Sequence, residues 1–276
     1  MTTLYIVATP LGNLGDLSPR AADVLRRVPV VAAEDTRRSR GLLEHLQASP
    51  RLVSFHAHSG PKRLDAILDI LADGRDVALV SDAGTPGVSD PGYDLVAAAR
   101  EQGHTVVPLP GPCAVAVALS ASGMPADRFL FLGFVPRKGP ERRRLLGRAA
   151  QEEWSVVFYE APGRVADLLA DLSEVIGPDR RATVGRELTK LHEEFVTGTL
   201  AELAARYAGT EPRGEFTVVL QGTGAPPVPE DRGEEAAGAA RAWLAEGISR
   251  KEAAQRVVQQ YGLSRNDAYR LVMDLA

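Results

Sequence analysis

The stretch Asp76-Val-Ala-Leu-Val-Ser-Asp-Ala-Gly-Thr-Pro-Gly-Val-Ser-Asp-Pro-Gly92 constrains the fold more than any other. Val77 to Val80 is a short apolar run of the kind found in strands buried on both faces, and it ends abruptly in Ser81 and Asp82. Gly84, Pro86, Gly87, Pro91 and Gly92 punctuate the next segment, after which Leu95, Val96 and Ala99 mark the inner face of a helix. In a parallel α/β sheet, loops at the carboxyl ends of strands are where ligands bind. Asp82 and Asp90 are candidates to accept hydrogen bonds from an amine or a ribose. The plainer alternative is a tight strand-to-helix connection with no ligand.

The same alternation extends along the first half of the chain. Leu4 to Ala8 reads as a strand, Thr9 to Asp16 as its exit loop, and Ser18-Pro19 as an N-cap with proline at the first helical position. Val28 to Ala33 is a second buried strand, ending in Glu34-Asp35-Thr36-Arg37. Acid and base delivered together at a strand end suit chemistry, although an ion pair capping the next helix has the same pattern. Leu42, Leu43 and Leu46 mark a helix, Leu52 to Phe55 a third strand, and Leu64, Ile67, Leu68 and Leu71 an amphipathic helix. His56 and His58 lack a third ligand at a recognisable spacing and on a strand would face opposite ways, so no metal is expected. Thr105 begins a further strand that runs into Pro110-Gly-Pro112, and Ala114 to Ala121 reads as a tightly packed helix. About five βα units imply a parallel α/β domain over 1–121. Neither G-x-G-x-x-G nor G-x-x-x-x-G-K-[ST] occurs, which argues against a Rossmann dinucleotide site and a P-loop.

After Gly123-Met-Pro125 the pattern changes. Strands are expected at Phe129–Val135, Val156–Tyr159, Ala182–Glu187, Glu193–Thr197 and Phe216–Leu220, with helices near 141–152, 164–176 and 200–208. Some strands follow one another directly, so a second, mixed-sheet α/β domain over 122–222 is expected, with a ligand cleft between the two. A proline-, glycine- and acid-rich linker, 223–234, leads to a helical unit, 235–276. There, Ser249-Arg-Lys-Glu252 and Ser264-Arg-Asn-Asp267 are two capping boxes, Gly262 ends the first helix, and Arg265 and Arg270 lie in the second, as in a helix-turn-helix. A small helical cap or a dimer contact fits that unit equally well.

The 276 residues carry 32 Lys and Arg against 36 Asp and Glu, a net charge of −4 that gives no global attraction to nucleic acid. Local charge differs. Arg137, Lys138, Arg142, Arg143, Arg144 and Arg148 face the single acid Glu141, and Arg37-Arg38-Ser39-Arg40 forms a second basic spot. Two such runs point to RNA or another polyanion, against the bland reading of solvated faces. With one cysteine, Cys113, no basic leader and no long apolar run, a cytoplasmic protein without a membrane span is expected.

The segments Ala8-Thr-Pro-Leu-Gly-Asn-Leu-Gly-Asp16, Ala33-Glu-Asp-Thr-Arg37, Ser81 to Gly92, Leu109-Pro-Gly-Pro-Cys-Ala114, Phe158-Tyr-Glu160 and Arg186-Glu-Leu-Thr-Lys190 occur in the order seen in the tetrapyrrole-methylase-like superfamily. The chain resembles that superfamily over 1–222, and within it the branch that methylates the 2′-hydroxyl of a cytidine in small-subunit ribosomal RNA. The helical tail is similar to the helix-turn-helix appended in that branch and absent from the small-molecule methylases.

The resemblance implies two α/β domains with S-adenosylmethionine folded into the cleft between them, no metal, and a homodimer. It assigns Pro10, Asp82, Gly84, Val88, Cys113, Ala114, Tyr159, Leu188 and Phe216 to the donor pocket, with Gly214 and Thr217 as neighbours. For a ribose hydroxyl, a poor nucleophile, a positioned base helps. Glu34 and Asp35 are the candidates, with Arg37 holding phosphate or one of those carboxylates, and Glu160 and Lys190 as outsiders. The basic run, represented by Arg137, Lys138, Arg142, Arg143 and Arg144, would hold the RNA or the assembled small subunit. The rivals are a methylase acting on a corrin-type tetrapyrrole, which leaves the basic run and tail unexplained, and a non-enzymatic RNA-binding protein, which has no need of the cleft loops.

Overall fold

The computed structural model describes residues 2–57, 59–210, 212–224, 230–261, 263 and 265–275, with side chains described in all but 230–234, 265 and 266. The chain divides into two compact units, 1–222 and 223–276. The first unit holds two lobes, each built on a five-stranded sheet.

In the first lobe the early apolar runs become β1 (Thr3–Val7), β2 (Val30–Ala33), β3 (Arg51–Ser54), β4 (Val77–Val80) and β5 (Thr105–Leu109). All neighbours are parallel, in the order β3-β2-β4-β1-β5. The crossovers are α1 (Pro19–Arg27), α2 (Thr36–His45), α3 (Pro61–Ala72) and α4 (Tyr93–Glu101), and α5 (Ala114–Ser122) follows the last strand. Alternate residues of β4 serve opposite layers. Val77 and Leu79 pack with Ile67, Leu71 and Leu95 of α3 and α4, while Ala78 and Val80 pack with Val24, Leu25 and Leu43 of α1 and α2. Burial of a leucine such as Leu79, 1% exposed, contributes about 1.5–3 kcal/mol. Ser18 caps α1 as expected, its side chain accepting from the Ala21 N–H. Strand β2 begins at Val30, not Val28, because the Val28 N–H closes α1 on the Val24 carbonyl and Pro29 has no N–H for a ladder.

The second lobe contains β6 (Phe129–Phe134), β7 (Ser155–Glu160), β8 (Arg181–Arg186), β9 (Glu194–Thr199) and β10 (Phe216–Leu220), ordered β6-β7-β10-β8-β9. The sheet is mixed, as the strand spacing implied: β6 and β7 are parallel and the remaining pairs antiparallel. Helices α6 (Pro140–Gln151), α7 (Val165–Ile176) and α8 (Leu200–Tyr207) supply the cover. Leu146, Leu168, Leu172 and Leu203 meet Phe158, Val184 and Val218 in its core. A reciprocal capping box opens α8. The Thr199 hydroxyl accepts from the Glu202 N–H, and the Glu202 carboxylate accepts from the Thr199 N–H.

The second unit consists of α9 (Glu230–Ala245), α10 (Arg250–Tyr261) and α11 (Arg265–Asp274), packed on Ala240, Ala253, Val257, Ala268 and Val272. Helix α9 begins inside the segment expected as linker, since an acid-rich run suits a helix N-terminus as well as a coil. The Ser249 side chain accepts from the Glu252 N–H at 3.3 Å. Gly262 and Ser264 lie outside the described residues, as do 225–229 and the side chain of Arg265. Among the described residues no helix is long and apolar enough to cross a membrane.

Candidate active site

A parallel sheet delivers all its strand exits to one edge. In this lobe four exit loops are fastened to each other there. Thr9, after β1, and Gly84, after β4, exchange backbone hydrogen bonds of 2.8 and 2.9 Å. The Thr9 hydroxyl donates to the Ser81 carbonyl at 3.1 Å, and the Thr85 hydroxyl to the Pro112 carbonyl, after β5, at 3.0 Å. The β2 exit joins through two carboxylates: Asp82 Oδ1 accepts from the Asp35 N–H at 2.9 Å, and Glu34 Oε2 from the Asp82 N–H at 3.3 Å. Gly84 has φ +87° and a Cβ there would meet Leu11 at 3.2 Å, so glycine is what lets the loops close up.

Between this edge and the second lobe lies a cavity of about 330 Å³, within the usual range for small-molecule sites of about 300–1,000 Å³. The first lobe contributes Leu11, Glu34, Arg38, Asp82, Gly84, Val88, Asp90, Cys113 and Ala114, among others, and the second Phe134, Tyr159, Glu160, Glu215, Phe216 and Thr217. Five of the lining residues are carboxylates and one is a guanidinium: Glu34, Asp82, Asp90, Glu160 and Glu215 against Arg38. Such a wall favours a ligand carrying positive charge.

Crowding of carboxylates shows in their acidities. Asp90 is pushed up to about 7, first by burial and then by the charge of Glu34, against a hydrogen bond from Ser81, with Asp82 and Glu215 adding to the rise. Burial raises Glu34, opposed by the hydrogen bond from the Asp82 backbone. Burial likewise raises Glu160, which is 1% exposed. Its Oε1 accepts from the Ala161 N–H at 2.9 Å, while Oε2, 3.2 Å from Arg164, has no aligned donor. Burial holds the Tyr159 hydroxyl protonated.

Most of the expected donor-pocket residues meet in this cavity: Asp82, Gly84, Val88, Cys113, Ala114, Tyr159, Phe216 and Thr217. Three lie elsewhere. Pro10 lines an adjoining hollow of about 250 Å³ with Gly12, Arg38 and Leu42. Leu188 is buried with Leu119, Val157 and Val219. Gly214 sits under Glu187, whose Cδ would be 2.4 Å from an added Cβ.

Of the expected catalytic residues, Glu34 faces the cavity and the other two do not. Asp35 is the N-cap of α2, accepting from the Arg37 N–H at 2.8 Å and pairing with its guanidinium at 2.8 Å. Hydrogen bonds from Arg37 hold Asp35 at about 2. Capping therefore accounts for this pair, the alternative that the Glu34-Asp35-Thr36-Arg37 pattern left open. Lys190 bridges Glu187 at 2.8 Å and Glu215 at 3.2 Å, and its stem lies where a Gly12 Cβ would stand, 2.2 Å from Cγ. The strand-exit residues Glu187 and Thr189 have φ of 50° and 66°, a left-handed turn that precedes Lys190.

The basic run divides as well. Arg142 is 8% exposed, pairs with Asp171 at 2.6 Å and donates to the Pro136 carbonyl at 3.0 Å, so it belongs to the core of the lobe and is withdrawn from the candidate RNA set. Arg144 pairs with Glu141 on the surface of α6, and Arg148 with the buried Glu152 that caps its C-terminal end. Arg137, Lys138 and Arg143 are exposed and enter no ion pair among the described residues. His56 lies past β3, His58 lies outside the described residues, and among the described residues no cluster of three or more His, Cys, Asp or Glu is arranged to hold a metal.

Two lobes, one all-parallel and one mixed, closing on an acidic, glycine-walled cavity define a class of fold, and comparison with known proteins identifies it. The family model for tetrapyrrole (corrin/porphyrin) methylases matches residues 3–204, and the chain belongs to that family. A solved uroporphyrin-III C-methyltransferase from Thermus thermophilus, complexed with S-adenyl homocysteine, shares the fold with TM-score 0.56 and 19% identity, over 79% of this chain and 96% of that one. Curated relatives narrow the branch. A protein of Synechocystis sp. is 43% identical over 100% of this chain and 99% of its own length, and one of Xylella fastidiosa 50% identical over 80% and 81%. Both are named Ribosomal RNA small subunit methyltransferase I. The chain is thus a methyltransferase of that branch.

Proposed function

We propose that the protein transfers a methyl group from S-adenosylmethionine to the ribose 2′-hydroxyl of a cytidine in small-subunit ribosomal RNA. The observation that carries this reading is an acidic cavity in a chain whose second lobe also exposes Arg137, Lys138 and Arg143, which enter no ion pair among the described residues. The names of the relatives in Synechocystis and Xylella point to the same acceptor.

The residues present fit the donor. It is a cation at the sulfonium, and five carboxylates line the cavity. The unaligned, buried Glu160 Oε2 is a spare acceptor for an amine or hydroxyl. In the proposed assignment the Asp82–Val88 loop, Cys113, Ala114, Phe216 and Thr217 hold the donor. When bound, the donor supplies an electrophilic methyl group. The chain has three further tasks. Alignment falls to the fastened loops, which hold two reactants in line. Exclusion of water falls to Val88, Tyr159 and Phe216. Removal of the hydroxyl proton falls to Asp90, whose acidity near neutrality suits a general base. Burial keeps Asp90 basic, and the charges of Glu34 and Asp82 add to it. Phosphates stay outside the acidic cavity, held by the basic run, and the helical unit adds backbone contacts. The acceptor is the assembled subunit or its RNA, in the cytoplasm, and the protein acts as a homodimer.

A competition of acceptors tests this. The protein is incubated with methyl-labelled donor and either small subunits from a strain lacking the enzyme or a uroporphyrin-type tetrapyrrole. Label is expected in the subunits alone; label in the tetrapyrrole alone refutes the reading.

A further inference from the structure

Among the described exposed large apolar residues of its lobe, which include Phe129, Trp154 and Leu191, Phe134 is the one that also lines the cavity. It closes β6, is 54% exposed, and stands on the cavity wall. A bulge puts it there. Strand β6 stays in register with β7 as far as Phe131 opposite Val157; the ladder then slips, so that Gly133 lies opposite Phe158 and Phe134 opposite Tyr159. In an unbroken strand, residues three apart face opposite sides of the sheet. The extra residue turns Phe134 onto the side of Phe131, re-aiming a side chain as bulges at functional sites do. Both rings then meet Tyr159 edge-on, with centroids at 4.9 Å for Phe131 and 5.5 Å for Phe134.

The slip depends on glycine. Gly133 has φ +61° and passes Ser89 of the cavity loop so closely that a Cβ would lie 3.0 Å from the Ser89 Oγ. A bulge, a left-handed glycine and the Tyr159 ring, itself met by Phe131, thus hold one phenylalanine half in solvent. Without the bulge, the strand pattern would turn Phe134 to the opposite face. Three and four residues further on stand Arg137 and Lys138, exposed and free of ion pairs among the described residues.

We propose that Phe134 is the platform on which the base of the acceptor nucleotide stacks while its ribose enters the acidic cavity, with Arg137 and Lys138 on the flanking phosphates. This rests on the reading of RNA as acceptor. Aromatic faces bind bases with little sequence preference, so the platform recognises an unstacked nucleotide and leaves base identity to other contacts. A nucleotide extruded from its stack would pay part of its unstacking cost back on this ring.

The test compares Phe134→Ala, Phe134→Leu and Phe134→Tyr with the parent protein. Affinity for S-adenosyl homocysteine is measured by calorimetry, and methylation kinetics with small subunits from a strain lacking the enzyme. Loss of one base–aromatic stack lowers kcat/KM by about 5- to 150-fold. That loss is expected in the alanine and leucine variants, mainly through KM, with cofactor-product affinity within about twofold of the parent by the same criterion of an untouched site. Tyrosine is expected to recover most of it. Unchanged kinetics in the alanine variant overturn the proposal. So does a parallel fall in S-adenosyl homocysteine affinity, which would assign the ring to the adenine of the donor. If the parent protein itself leaves subunits unlabelled, the RNA reading fails and this proposal with it, a result distinct from the first two. Melting curves of the three variants serve as the check on folding.

Discussion

Replacing Asp90 with asparagine removes the most perturbed carboxylate of the cavity while keeping its shape. In the folded protein Asp90 titrates near 7, against an ordinary value of 3.8. Between those values the native state holds a proton that the unfolded chain has lost, so stability falls as pH rises from about 4 to about 7 and is flat above. A shift of about three units corresponds to roughly 4 kcal/mol at most, and partial exposure to solvent screens it to about 1–2 kcal/mol. Asparagine carries no such penalty. Urea denaturation of parent and variant at pH 5 and pH 8 is therefore expected to show the variant gaining on the parent by about 1 kcal/mol between the two. If Asp90 takes the proton, the same change lowers kcat by about 10²- to 10⁴-fold and removes the rise of kcat toward neutral pH. A stability difference that is the same at both pH values refutes the electrostatic argument. Gained stability with undiminished turnover refutes the catalytic one.

Four further outcomes follow from the geometry. Arg142→Ala should destabilise the protein by about 1–3 kcal/mol in urea melts, since it strands Asp171 and the Pro136 carbonyl. Arg143→Ala, one position on, should leave stability unchanged and reduce the salt slope of subunit binding by about one; equal stability losses in the two would contradict the division of the basic run. Gly12→Ala should cost about 1–3 kcal/mol, because the new methyl displaces the Lys190 stem; a neutral melt would show that the segment shifts freely. Glu34→Gln should lower the Asp90 acidity constant's pKa by removing a neighbouring charge, read as a shift of the kcat profile to lower pH; an unmoved profile would dissociate the two groups.

The sheets were legible because their strands are short apolar runs bounded by special residues. Val77–Val80 was readable to the residue, since Asp76 and Ser81 bracket it. Boundaries such as that of β2 were not, because Val28 is as apolar as Val30 and only the closing hydrogen bond of α1 separates them. In the site, residues borne on Gly-Pro-rich loops, Asp82 to Val88 and Cys113-Ala114, could be grouped by motif. Two further positions carry their structural role in the sequence pattern. Arg142 shares a helical face with Leu146 and Ala149, both buried, which marks it as inward by spacing alone. Asp35-Thr-Arg37 has the form of an N-cap, which accounts for both residues. Phe134 had no such signal, because a one-residue slip in the β6 ladder is invisible in an alternating pattern. The raised pKa of Asp90 was equally hidden, because it depends first on burial in the folded cavity and then on the charges of Glu34, Asp82 and Glu215, of which Glu34 and Glu215 come from distant parts of the chain.

In the proposed reaction a ribose hydroxyl of small-subunit RNA receives the methyl group. Its most direct test is mass spectrometry of nucleosides digested from small subunits after reaction with the protein and S-adenosylmethionine. The expected product is 2′-O-methylcytidine, formed about 10²- to 10⁴-fold more slowly when Asp90→Asn replaces the parent. A methyl group on a base, or subunits that remain unmethylated while the protein binds the donor, would contradict it.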